Sequence, residues 1–255
     1  MIGMLHLPAL PGSPRSSLTL PAIVKQTLDD AELLAENGFH GLMLENFGDS
    51  PFFPQRVPAI TVAAMTQVAS EVRRRFDLPL GINVLRNDGR SALAIAAAVG
   101  GSFIRVNVLC GARVTDQGVI QGIAHDLLRD RQALGAGSVA IFADVDVKHS
   151  APLAPRPMAE EARETAERGG ADALVVTGVA TGSAPDLSAV SASRAATENT
   201  PVLLGSGVTA ENFAALQTQA DGFIIGSALK RNGRAENAVD PARAKRFADA
   251  MRAAK

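Results

Sequence analysis

Short apolar runs recur along the chain, separated by longer amphipathic stretches, and the alternation repeats eight times. The runs are Ile2–Leu7, Gly41–Glu45, Leu80–Val84, Phe103–Val108, Ser138–Val147, Ala173–Thr177, Val202–Gly205 and Gly222–Ile225. Most are apolar at both odd and even positions, the pattern of strands in a parallel sheet covered by helices. Between them, Leu20–Asn37 sets Val24, Leu28, Ala31 and Ala35 on one stripe and meets Gly38 where a C-cap would sit. Val57–Phe76 repeats the pattern with Thr61, Met65, Val68, Val72 and Phe76. Arg90–Val99, His125–Leu134 and Met158–Arg168 each run into glycine, and Asp186–Thr197 is less periodic. Thr209 reads as the N-cap of a helix through Thr218, and Asp240-Pro241 opens the last helix with Pro at its first position. Eight β-α units in 255 residues predict one (β/α)8 TIM barrel as a single domain over residues 1–255. A dinucleotide-binding sheet would place GxGxxG after its first strand, where this chain has Pro8-Ala9-Leu10-Pro11-Gly12.

Loop length identifies the working face. Helix-to-strand links such as 38–40, 77–79 and 100–102 are short, whereas the strand-to-helix links 8–19, 46–56, 109–124 and 148–157 are long. Long loops gathered on one rim match the C-terminal face where barrel active sites form. Composition narrows the chemistry further. A formal net charge of -1 gives no electrostatic reason to expect nucleic acid. The one cysteine, Cys110, excludes an internal disulfide framework and reads as an inert thiol near the rim. No apolar run approaches bilayer-spanning length, and the first residues do not read as a signal peptide, so a cytoplasmic location with no integral membrane segment is expected.

Strand alternation places candidate side chains. In the fifth strand Asp144, Asp146 and Lys148 fall two apart, on one side of the C-terminal end. Arg105 and Asn107 end the fourth strand, Asn83 the third, Glu45 the second and His6 the first. Charges in apolar strands are costly unless they pair or meet a ligand, so the choice lies between a bracing ion network and a site. Asp144, Asp146, Lys148, Glu45 and His6 are the candidate catalytic groups, with Asn83, Arg105, Asn107 and Thr177 as substrate contacts. The later strands end instead in small residues: Thr177-Gly178, then Thr181-Gly182; Gly205-Ser206-Gly207; and Gly226-Ser227. Glycine turns after the seventh and eighth strands occupy the phosphate position of many barrels, and otherwise they simply permit tight turns. Gly178, Gly205, Ser206, Gly207, Gly226 and Ser227 are therefore candidate phosphate contacts, with Lys230 as added charge or a surface residue.

Several segments together resemble the BtpA/SgcQ family. They are Ile2-Gly3-Met4-Leu5-His6-Leu7-Pro8-Ala9-Leu10-Pro11-Gly12-Ser13-Pro14, Leu42-Met43-Leu44-Glu45-Asn46 with Asp49, Gly81-Ile82-Asn83-Val84-Leu85-Arg86-Asn87-Asp88, and Ala143-Asp144-Val145-Asp146-Val147-Lys148-His149. The resemblance implies a phosphate-binding TIM barrel of the ribulose-phosphate-binding kind. It also implies one of two roles: an enzyme of sugar metabolism, or a biogenesis factor for photosystem I. It carries no residue roles, so those above rest on strand position.

Three chemistries fit a small phosphorylated sugar or nucleoside undergoing lyase, isomerase or hydrolase chemistry. A divalent metal could be held by Asp144, Asp146 and Glu45, with His6. Lys148 could form a Schiff base, although two adjacent carboxylates would keep it charged. Metal-free acid–base catalysis is the third. A non-catalytic assembly factor would instead need an exposed apolar patch, for which Pro51-Phe52-Phe53-Pro54 is the candidate; a lid or oligomer contact explains the same residues. Ligand sensing would use the same anion site. Self-association into a homo-oligomer is expected on barrel size alone.

Overall fold

A computed structural model describes residues 1–178 and 186–254. The eight apolar runs form eight parallel strands: β1 (Ile2–His6), β2 (Gly41–Glu45), β3 (Leu80–Asn83), β4 (Phe103–Val106), β7 (Ala140–Val145), β9 (Ala173–Val176), β10 (Val202–Leu204) and β11 (Gly222–Ile225). They close in the order β1-β2-β3-β4-β7-β9-β10-β11 and back to β1. Helices α1 (Leu20–Glu36), α2 (Ala59–Arg75), α3 (Gly89–Val99) and α4 (Ala124–Ala133) follow the first four barrel strands. After β7 come α5 (Met158–Arg163) and a π-helical turn, Glu164–Arg168. Helices α6 (Leu187–Ala196), α7 (Phe213–Leu216) and α8 (Pro241–Ala253) complete the ring. Thr181 and Gly182 lie outside the described residues.

Two elements depart from the sequence expectation. The long link after β4 contains a hairpin, β5 (Ala112–Thr115) and β6 (Gly118–Gln121), and β8 (Ser150–Pro152) from the next link joins it in a small antiparallel sheet on the rim. The helix expected from Thr209 to Thr218 is one turn long. Thr209 and Asn212 brace its approach reciprocally, Thr209 N donating to Asn212 Oδ1 (2.7 Å) and Asn212 N to Thr209 Oγ1 (3.3 Å).

Alternation sends every second barrel residue inward. Met4, Met43, Phe103, Val175, Leu203 and Ile224 fill the lower interior, with Phe142 packed against them. Phe103 stacks on Phe142 with centroids 4.5 Å apart. Gly81 makes room for that stack: a Cβ there would lie 2.0 Å from Phe103 Cε2. Gly81→Ala should therefore cost about 1–3 kcal/mol by overpacking, read as a lower denaturant midpoint with an unchanged slope. Asp30 and Lys230 tie the ring together on the outside. Lys230 is fully buried and donates to Asp30 Oδ2 (2.8 Å), while Asp30 Oδ1 accepts from Val239 N (2.8 Å). Lys230 is thus neither a surface residue nor a ligand contact, because its ammonium is spent on α1.

Candidate active site

The polar ends of the first four strands meet in register. His6 pairs with Glu45, Glu45 with Asn83, and Asn83 with Arg105. Above this ring opens a cavity of about 690 Å³. It is lined by His6, Glu45, Phe47, Arg105 and Lys148 together with Gly205, Ser206, Gly207, Gly226, Ser227 and Arg243. A neighbouring hollow of about 510 Å³ shares Glu45, Phe47, Arg105, Lys148 and Glu236, and extends the mouth toward Arg86 and Asn107. His6, Glu45 and Lys148 therefore share one space with Gly205, Ser206, Gly207, Gly226 and Ser227.

The rim is held by side-chain staples that the sequence motifs supply. Asn46 Oδ1 accepts from Leu85 N (2.7 Å), and Asn87 clasps Val108 from both sides (2.8 and 3.0 Å). Asp49 accepts from Leu10 N (2.8 Å). Asp88 caps α3 through Ser91 N (3.0 Å) and accepts from Val57 N (2.9 Å). These bonds join the first four strand-to-helix links, so the family-like motifs include much of the scaffold of the site.

Three residues read as catalytic separate on inspection. Asp144 points inward but lies under the cavity floor, with a fully buried side chain. It receives Arg105 Nε (2.8 Å) and Nη2 (3.0 Å), and Asn107 Nδ2 (2.7 Å). It braces Arg105 rather than facing ligand. Asp146 leaves the mouth altogether. The strand ends at Val145, Asp146 takes a left-handed backbone conformation (φ 54°), and its half-exposed carboxylate pairs with Arg113 of β5. Arg113 in turn reaches Glu161 (3.4 Å) and Ser150 (2.7 Å), which binds the rim sheet to α5. Lys148 returns to the cavity two residues later. Period-two alternation failed here because it presumes an unbroken strand.

The metal reading is corrected for the same reason. Asp144, Asp146 and Glu45 do not converge, and no group of three His, Cys, Asp or Glu suited to a metal ion occurs among the described residues. Neither Asp144 nor Asp146 forms an ion pair with Lys148, although the charges of Glu45 and Asp144 still favour its ammonium form. Burial in the cavity, with Arg105 nearby, lowers the Lys148 pKa from its ordinary value. Burial raises that of Glu45. Burial, aided by Lys230, holds His6 well below its usual value and hence neutral. His6 Nδ1 lies 2.9 Å from the Ala235 carbonyl oxygen and its ring stacks on Phe47 at 4.7 Å, so it is held in place as well. Burial opposes charge on Arg105, but Asp144 outweighs it and the guanidinium pKa is raised.

Among the substrate-contact candidates, Arg105 lines the cavity, and Asn107 lines the neighbouring hollow with a buried Oδ1 that bonds no described protein group. Asn83 is fully buried below the wall, and neither of its amide atoms has a described protein partner. Thr177 Oγ1 accepts from Lys148 N (3.2 Å), so it positions the lysine's backbone.

Two glycines differ from their expected role. Gly178 N donates to Ser206 Oγ (2.7 Å). Gly205 N donates to the Val176 carbonyl (2.9 Å), and a Cβ on Gly205 would lie 2.5 Å from Val175 Cγ1. Close packing therefore requires that glycine, while Gly207, Gly226 and Ser227 line the cavity. Arg243, Arg86, Glu236 and Phe47 were missed by sequence reasoning. A signal existed for Arg243: it sits in the first turn of α8, three residues after the Asp240 N-cap, where the helix dipole disfavours a cation. It forms no ion pair with a described carboxylate; Nη1 reaches only the Ala228 carbonyl, at 3.4 Å.

The barrel matches phosphoribosyl anthranilate isomerase from Thermus thermophilus with a TM-score of 0.61 at 10% identity, covering 100% of this chain and 99% of that one. This likeness is one of fold. No helix among the described residues is long and apolar enough to cross a membrane. The photosystem I biogenesis protein BtpA of Synechocystis is 45% identical over 251 residues, 98% of this chain and 87% of that protein. An uncharacterised protein of Thermococcus kodakarensis is 44% identical over 249 residues, 98% of this chain and 94% of its own length. The BtpA family profile matches residues 1–253, and the chain belongs to the BtpA family.

Proposed function

We propose that the protein is an enzyme acting on a small phosphorylated sugar or nucleoside by metal-free acid–base chemistry of the lyase or isomerase kind. The observation that carries this reading is the single cavity in which Glu45 and Lys148 face the Gly207 and Gly226-Ser227 turns. The phosphate is held by those turns and by Arg243. The sugar carbons then lie over Glu45 and Lys148. Glu45, with its raised pKa, takes a proton from carbon next to a carbonyl; Lys148 as ammonium stabilises the developing oxyanion and returns a proton. His6, neutral and stacked, orients the substrate hydroxyls.

One observation favours an enzyme over an assembly factor. The mouth is open rather than plugged: Phe52 only borders the hollow beside it, and Phe53 is exposed. Cytoplasmic location and self-association remain part of this reading, the latter to be read by sedimentation.

A thermal-shift screen tests the proposal. A phosphorylated sugar or nucleoside should raise the melting temperature while its unphosphorylated counterpart does not, by about 2.7 kcal/mol of stabilisation at a hundred times Kd. A full panel of phosphorylated compounds without a shift would remove it. Borohydride reduction with that ligand should leave Lys148 unmodified; a reduced adduct there would replace acid–base chemistry with a Schiff base.

A further inference from the structure

Arg86 presents a charge that the proposed reaction does not use. It follows β3, is buried, and lines the hollow that shares Glu45, Phe47, Arg105 and Lys148 with the main cavity. Its guanidinium donates from Nη2 to the Lys148 carbonyl (2.7 Å) and forms no ion pair with a described carboxylate. A buried cation without an anion is costly, and the same holds for the Lys148 ammonium beside it. Asp144, Asp116 and Glu45 act on it from a distance, but none forms an ion pair with it: Asp144 is taken by Arg105 and Asn107, and Asp116 is exposed at the edge of the hollow.

The backbone of Arg86 follows β3, four strands from β10 in the closed order, and its guanidinium reaches inward to the Lys148 carbonyl. It thus lines the neighbouring hollow, which includes none of the glycine turns of the main cavity. We infer that the ligand carries a second anionic group, a carboxylate or a second phosphate, bound by Arg86 in that hollow, apart from the glycine turns. This rests on the phosphate reading of those turns and narrows the substrate class to a phosphosugar acid or a sugar bisphosphate. A planar guanidinium suits either oxyanion. Burial disfavours the charge on Arg86, and an incoming anion would offset that cost.

Calorimetric titration of the whole chain with alkanediol bisphosphates, from propane- to hexanediol, against the monophosphates of the same lengths tests the inference without knowledge of the substrate. The expected result is a bisphosphate preference of roughly tenfold or more at one or more lengths. Arg86→Gln should abolish that preference and leave inorganic phosphate and the monophosphates bound as before. Monophosphates that bind, with no preference beyond the statistical advantage of two identical ends, would overturn the second anchor and leave the phosphate site standing. A preference that survives Arg86→Gln would overturn the assignment to Arg86. Failure of inorganic phosphate and every monophosphate to bind would overturn both readings. If Arg86→Gln does not fold, the wild-type length series decides between a second anchor and none.

Discussion

Asp144→Ala should destabilise the protein by about 3–5 kcal/mol, because it leaves Arg105 charged, buried and unpaired inside the barrel. Arg105 is only 3% exposed and loses both of its carboxylate bonds at once, while Asn107 Nδ2 loses its acceptor. Urea unfolding reads the effect directly. Asp144→Asn, which keeps one acceptor oxygen of similar shape, should lose less. If Asp144→Ala unfolds at the wild-type urea concentration, Asp144 does not brace Arg105, and a direct role toward ligand returns for it.

On the substrate class returned by the ligand screen, Glu45→Gln should lower kcat by about 10²–10⁴-fold with little change in phosphate binding. The pH profile carries the sign. Activity needs Glu45 ionised, so it falls as pH drops through a Glu45 pKa that burial has moved above the ordinary carboxylate value. Activity also needs Lys148 protonated, so it falls as pH rises through a Lys148 pKa that burial has moved below the ordinary lysine value. The bell in kcat/KM is thus narrowed from both sides. Lys148→Ala should remove the alkaline limb, and an acid limb that persists in Glu45→Gln would reassign the base.

All eight barrel strands and the polar tips of the first four were legible in the sequence, because a covered parallel sheet leaves long apolar runs and alternation fixes which residues point inward. His6, Glu45, Asn83 and Arg105 follow from that rule alone. Asp146 did not, since a single left-handed residue after Val145 turned its side chain toward Arg113. The rim hairpin was hidden because Arg113–Thr115 and Gly118–Gln121 are too short and mixed to show a period. Lys230 read as added charge for the anion site or as a surface residue, and it is neither, because Asp30, two hundred positions away, takes its charge. Arg86 and Arg243 were missed for the opposite reason. Each is meaningful through the acid it lacks, and a missing partner leaves no trace in a linear pattern.

The stacked rings of Phe103 and Phe142, with Met4, Met43, Val175, Leu203 and Ile224, close the barrel beneath the polar ring. The chamber is therefore closed from below, at the N-terminal end of the barrel strands. On the proposed reading a product that keeps its phosphate would leave from the same end that substrate enters, so its inhibition should be competitive with substrate.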